Sequence, residues 1–210
     1  MALARYRIFL LSPANAAGVR AQRLMHESAM FDLAVRLRCQ SVPIGELFSF
    51  MSGLYFRGKL AYAEAFAAPP PGVSGTYVIT AAGGLLIPQT PLTLESLRQL
   101  AAVPIDAADA RYRMPLERDA QALHGIALGG CEIVLLGSIA EAKYIQPLVA
   151  IFGDRLVFPA EFVGRGDMSR GGLMLRCAQA GTELEYIPAQ SATRRGARPP
   201  KLPQLRKRGD

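Results

Sequence analysis

Short apolar runs alternate along this chain with longer stretches whose apolar positions recur every three to four residues. The first run, residues 5–11, reads as a buried strand closed by Ser12-Pro13. Asn15 stands where a helix cap is expected, and Val19, Met25, Leu33 and Leu37 mark the apolar stripe of the helix behind it. Pro43 separates off a second helical segment over residues 44–67, with a break at Ser52-Gly53. Pro69-Pro70-Pro71-Gly72 is a loop. Residues 76–80, rich in β-branched side chains, predict a strand, followed by Ala81-Ala82-Gly83-Gly84 and an apolar exit over 85–87.

Beyond Pro88 and Pro91, Thr93 is a good N-cap for a helix over 93–102. Residues 104–113 are ambiguous, and 116–126 predict a helix with Pro115 in its first turn. The clearest strand is 131–136, ending at Gly137-Ser138 before a helix over 140–152. Residues 156–163 predict a further strand whose Pro159 favours an edge or a bulge. A glycine-rich turn over 164–172 leads to a helix over 173–180, and 184–187 is a last short strand. Strands alternating with helices predict an α/β fold: one three-layer domain over 1–188, with a mostly parallel sheet of about four to five strands.

Charge changes this picture at one end. Seven of the 24 Lys+Arg residues lie in the last 22 positions: Arg194, Arg195, Arg198, Lys201, Arg206, Lys207 and Arg208. Asp210 is the only acid there, so the body is nearly neutral and residues 189–210 read as a disordered, proline-containing basic tail. Such a tail suits nucleic acid or an acidic protein partner, and it also serves solubility alone.

Other classes are disfavoured. No 18-residue apolar run lacks charge, and the run over 8–11 is too short for a signal-peptide core, so a cytoplasmic protein with no membrane partner is expected. Cys39, Cys131 and Cys177 are isolated and odd in number, and the only histidines are His26 and His124, so neither a disulfide framework nor a metal or other cofactor is expected.

In open parallel sheets ligands sit outside the carboxyl ends of the strands. Those ends read Ser12-Pro13-Ala14-Asn15, Thr80-Ala81-Ala82-Gly83-Gly84, Gly137-Ser138 and Gly164-Arg165-Gly166-Asp167. Small residues admit a ligand to the backbone, and the helix starts that follow offer free N–H donors. Short strand-to-helix turns need the same residue types for their own geometry. The turn over 164–172 is the densest signal. Arg165 and Arg170 are placed to grip a phosphate beside Gly164, Gly166 and Ser169, or else Asp167 caps the helix and the arginines are solvated. In residues 48–63 aromatics interleave with cations. Tyr55, Arg57 and Lys59 are the functional candidates there, while Leu54, Phe56, Leu60 and Ala63 fit a buried face. Glu161 and Asp167 are the candidate acid/base pair, and Lys143 and Tyr144 could point to the same edge.

These blocks, in this order, resemble an uncharacterised α/β family of bacteria and phages. The likeness rests on 54–64 (Leu-Tyr-Phe-Arg-Gly-Lys-Leu-Ala-Tyr-Ala-Glu), 78–88 with its Gly-Leu-Leu exit, 134–137 with Tyr144 and Pro147-Leu148, and the glycine-rich turn before Leu173. Related domains are fused to archaeosine-type tRNA-guanine transglycosylases and are similar to uracil-glycosylase folds, which implies nucleobase or nucleic-acid business. Relatives often carry a Cys-Ser-x-x-Lys-like cluster after the first strand, where this chain has Ser12-Pro13-Ala14-Asn15. Any chemistry of that cluster is therefore lost or replaced.

The reading that follows is a nucleic-acid- or nucleotide-binding protein that works at the strand edge, processing a base or glycosidic bond if it is an enzyme. Arg165, Arg170 and Arg57 would bind phosphate, Ser12, Asn15 and Ser138 would position the ligand, and Asp167 or Glu161 would move the proton. Two alternatives stay open: a non-catalytic interaction protein that binds an acidic partner through its tail, and an enzyme acting on a phosphorylated metabolite.

Overall fold

The computed structural model describes residues 6–127, 130–139 and 142–192, together with 196, 197, 199, 200 and 202. The seven tail cations singled out above lie outside the described residues.

The apolar runs do become strands. β1 (Arg7–Leu11) opens the chain. α1 (Val19–Met25), α2 (Asp32–Cys39), β2 (Val42–Pro43), α3 (Ile44–Ser52) and α4 (Leu54–Phe66) follow. β3 (Thr76–Ile79), β4 (Leu85–Leu86) and β5 (Pro91–Leu92) precede α5 (Leu94–Ala101) and α6 (Ala110–Ile126). The last part comprises β6 (Glu132–Leu136), α7 (Ala142–Phe152), β7 (Leu156–Pro159), α8 (Asp167–Ala180) and β8 (Tyr186–Pro188).

Among the described residues the main sheet has six strands in the order β4-β3-β1-β6-β7-β8. Its four central strands are parallel, and the short edges β4 and β8 run antiparallel to them. The α/β class is as the pattern predicts. The sixth strand is the apolar exit after Gly84, which folds back on β3. β1 lies at the centre, with Phe9 in register with Thr76 on one side and Val134 on the other. Ile8 to Leu11 and Ile133 to Leu136 are fully buried, as strands covered on both faces must be. The chain moves from β1 to β3 in one direction and from β6 to β7 in the other. Right-handed crossovers then place the connecting helices on opposite faces: α4 packs on β1 and α8, while α7 packs on β7 and α6.

Several boundaries depart from the pattern. Asn15 does not cap one long helix. Its Oδ1 accepts from the Ala17 amide at 3.0 Å in a local turn, and α1 starts after Gly18. His26 then takes the Ser28 amide at 3.2 Å, so the stripe from Val19 to Leu37 is divided between two helices. α6 begins at Ala110, where Asp109 caps the Arg111 amide, and Pro115 lies inside the helix. Burial of Tyr112 and Leu116 on one face outweighs the hydrogen bond that proline removes. β7 stops at Pro159, which starts a 3-10 turn. The glycine-rich segment after Gly166 is already helix α8.

That early helix start has a packing cause. A Cβ on Gly58 of α4 would lie 2.5 Å from the Gly171 carbonyl oxygen of α8, and one on Gly171 would lie 2.8 Å from the Tyr55 Cα. The two backbones are in direct contact, which only glycine at both positions permits. Gly172, one residue on, faces only Leu202 at an ordinary 3.7 Å. The described residues beyond 192 also touch the body, since Arg165 donates to the Pro200 carbonyl at 3.4 Å.

Alanine at Gly58 or Gly171 is expected to lower unfolding stability by about 1–3 kcal/mol in urea denaturation, through overpacking against backbone. Alanine at Gly172 is expected to raise it by up to about 1 kcal/mol through helix propensity alone. Equal responses at 171 and 172 would contradict the contact described here.

Candidate functional site

β1 and β6 are adjacent strands whose successors leave in opposite directions, which makes the gap between their carboxyl ends the switch point of the sheet. A cavity of ≈ 780 Å³ opens there. Its floor is the loop from Ser12 to Ala17, with Ala81 after β3 and Ser138 after β6. Phe48 and Ser52 of α3 and Tyr55 of α4 form one wall. Lys143 and Tyr144 of α7, Asp167 of α8 and the segment 100–105 complete it.

Beneath this floor lies Lys59. α4 carries it, one residue after the Gly58 contact, to the end of β1, where its side chain is fully buried. Its Nζ donates to the Ser12 carbonyl at 2.6 Å and lies 2.9 Å from Ser12 Oγ. The amine also stands 4.4 Å from the centre of the Tyr55 ring and 4.9 Å from that of Phe56. No carboxylate reaches ion-pair distance of it among the described residues. Burial therefore pulls its pKa down from 10.5 to about 7, with Asp167 acting against the shift and Arg170 adding to it.

Tyr55 is the second unusual group. It lines the cavity, and its hydroxyl is buried beside the Arg170 guanidinium without a hydrogen bond of normal geometry to any described residue. Burial raises its pKa well above the usual phenol range. Nearby, the Tyr144 hydroxyl accepts from the Ser138 amide at 3.1 Å, locking the turn after β6 onto α7. Asp167 is exposed at the first position of α8, where the helix dipole favours a carboxylate, and stands 3.5 Å from Arg170 Nη1.

The structure brings Ser12, Asn15, Tyr55, Ser138 and Asp167 together around the cavity, with Lys59 just behind Ser12. Other candidates lie elsewhere. Thr80 is buried in its own turn, donating to the Gly84 carbonyl at 3.0 Å and accepting from the Gly83 amide at 2.9 Å. Gly84, at φ 67°, packs against α6. None of these three lines the cavity. Arg170 does not stand solvated in a loop: its Nε and Nη2 both donate to the Phe162 carbonyl, at 3.2 and 2.9 Å. Arg165 donates to the Glu161 carbonyl at 2.9 Å and to Ser169 Oγ at 3.3 Å, so the two guanidiniums tie α8 to the turn before it. Gly164 lies against the chain at Ala197, and Gly166 is the N-cap residue of α8. Glu161 has a buried Oε2 without a partner among the described residues, but it does not line the cavity with Asp167.

Arg57 faces a different depression. Together with Arg20, Arg23, Ser49, Phe50 and Gly53 it lines a groove of ≈ 440 Å³. Arg20, Arg23 and Arg57 are exposed, and none makes an ion pair among the described residues. α3 separates groove from cavity: Phe48 and Ser52 face the cavity, and Ser49 and Gly53, about 100° around the helix, face the groove. Gly53 sits at φ 59°, and a Cβ there would be 2.6 Å from Arg20 Nη1. The pattern did not single out Arg20 and Arg23, although their i, i+3 spacing places them on one side of a helix.

Among the described residues no group of three or more His, Cys, Asp or Glu is arranged to hold a metal ion, and no helix is long and apolar enough to cross a membrane. The fold and site define a parallel α/β protein with a switch-point cavity. No protein-family model, curated protein or solved structure matches the chain.

The depressed Lys59 predicts a pH dependence of stability. Between pH 7 and 10.5 the unfolded chain holds a proton on this lysine that the folded chain has released, so folding stability rises with pH across that window. The slope is at most about 1.4 kcal/mol per pH unit. Urea denaturation from pH 7 to 9 should show it in the wild type, and Lys59→Met should remove it; identical slopes would mean that the amine stays charged when folded.

Proposed function

We propose that this chain binds a nucleotide, free or within a single strand, with its base in the switch-point cavity and phosphate held in the arginine groove across α3. The observation that carries the reading is the Tyr55 hydroxyl, buried in the cavity wall without a hydrogen bond of normal geometry to any described residue. An unsatisfied buried hydroxyl costs about 1–3 kcal/mol, and a ligand that hydrogen-bonds to it recovers that loss. A nucleobase offers donors and acceptors on its edges and a flat apolar face. Ser12, Asn15, Ser138 and Asp167 supply the complementary polar groups, and Phe48 and Ala14 the apolar surface. Arg20, Arg23 and Arg57 supply unpaired positive charge beside Phe50, the combination that tracks a phosphate backbone and stacks a base. The resemblance described above points to the same chemistry, processing of a base or glycosidic bond, with Asp167 as the proton-transfer group that faces the ligand.

Two measurements test this. Tyr55→Phe should weaken binding of the preferred mononucleotide about fivefold in calorimetry while stabilising the free protein by about 1 kcal/mol. Replacing Arg20, Arg23 and Arg57 together with serine should reduce the salt slope of single-stranded oligonucleotide binding by about 2, from three lost phosphate contacts. Serine at the seven tail cations should leave mononucleotide binding unchanged. Oligonucleotide binding that disappears with the tail charges and ignores the groove would instead favour the tail as the whole nucleic-acid contact.

A further inference from the structure

We infer that Ser12 is a nucleophile and Lys59 its general base, so that the cavity performs acyl transfer on an ester- or amide-bearing ligand. The geometry is that of a serine–lysine pair. Ser12 Oγ lies 2.9 Å from Lys59 Nζ, Ser12 lines the cavity, and Lys59 is sealed beneath it, fully buried. A neutral amine has two N–H donors and one lone pair. Lys59 Nζ donates to the Ser12 carbonyl at 2.6 Å and to Ser12 Oγ at 2.9 Å; once the amine is neutral it keeps the carbonyl contact, and its lone pair can turn to accept the Ser12 hydroxyl proton.

The surroundings favour this protonation state. The charged and titratable groups acting on the amine are Asp167 and Arg170 of α8, of opposite sign, and Tyr55 of its own helix places its ring against it. With no carboxylate at ion-pair distance among the described residues, desolvation dominates, and the pKa near 7 leaves much of the lysine able to take a proton at neutral pH.

The turn after Ser12 supplies the remaining part. Ala14, Asn15 and Ala16 line the cavity, and none of their backbone amides donates a hydrogen bond to a described residue. Amides left without acceptors beside a nucleophile can receive the negative charge that develops on a carbonyl oxygen.

The step balances as follows. The Ser12 Oγ–H proton passes to Lys59 Nζ as Oγ bonds to the acyl carbon, giving a tetrahedral oxyanion. Collapse breaks the bond from that carbon to the leaving oxygen or nitrogen, which departs with the proton from Lys59. Water then attacks the Ser12 ester with Lys59 again as base, releasing the carboxylic acid and restoring the serine. No oxidant or further co-reactant is required.

A fluorophosphonate probe and p-nitrophenyl acetate test the pair on the full-length protein. Mass spectrometry should place the phosphonyl adduct on Ser12, and Ser12→Ala should abolish both labelling and the p-nitrophenol burst. Lys59→Met should slow labelling about 100-fold, the lower range for removal of a general base. In the wild type the labelling rate should rise with pH along a limb centred near 7. That limb decides the matter if Lys59→Met does not fold. No adduct on Ser12, a labelling rate that rises only above pH 9, or an unchanged rate in a folded Lys59→Met protein would each overturn the assignment. The result is separable from the nucleotide reading, because the probe carries no nucleotide and the salt slope of oligonucleotide binding is measured without it. Oligonucleotide binding with no Ser12 adduct would overturn the serine–lysine pair alone, and an adduct without oligonucleotide binding would overturn the nucleotide reading alone.

Discussion

Two helices on one face of the sheet touch through their backbones, because neither Gly58 nor Gly171 carries a side chain where they cross. Much of the site follows from that contact. It sets α4 low enough for Lys59 to reach the end of β1, and it brings Arg170 and Asp167 of α8 beside Tyr55 and Lys59. An added methyl at the crossing would push the helices apart and withdraw the lysine from Ser12. Two glycines inside helices normally weaken them by about 1 kcal/mol each, so the close packing has to offset a local cost.

The sheet supplies the second constraint. β1 is central and fully buried from Ile8 to Leu11, so it cannot carry a polar group along its length; polarity begins where the strand ends, at Ser12. β6 repeats the arrangement with Gly137-Ser138, and the Ser12 amide bonds to the Leu136 carbonyl at 3.1 Å. At the opposite, amino end, Arg7 pairs with Glu132 at 3.0 Å and is flanked by Glu183 and the Tyr62–Tyr186 hydroxyl pair at 2.7 Å. The two ends differ in kind. The amino end closes its charges in ion pairs and hydrogen bonds, whereas the carboxyl end keeps a cavity with a phenol lacking a hydrogen bond of normal geometry and an amine without a carboxylate partner among the described residues. Polar groups in the second state cost stability unless a ligand or a reaction uses them.

Much of the fold was legible because its signals are local. The runs at 5–11, 76–80, 131–136 and 156–163 contain the four parallel strands, and Thr93 caps its helix through the Ser96 amide as its side chain suggests. The carboxyl-edge rule located the cavity, since Ser12, Asn15, Ser138 and Asp167 all reach it. What misled was composition read as exposure. Lys59 and Arg170 look like surface cations in a linear sequence, yet one is buried under β1 and the other bonds the Phe162 carbonyl twice. Thr80, Gly83 and Gly84 form a turn for its own sake.

By itself the sequence determined that this is a parallel α/β protein with polar strand ends and a concentration of positive charge after residue 188, because strand and turn chemistry depend on near neighbours. Only the tertiary structure decided which polar groups meet. Lys59 and Ser12 are 47 positions apart and become a pair because α4 crosses β1. Phe48 and Ser49 are adjacent in sequence yet face a cavity and a groove, because a helix turns about 100° per residue. Burial, which moves the lysine's proton affinity, arises from the packing of the whole chain and is written in no single segment of it.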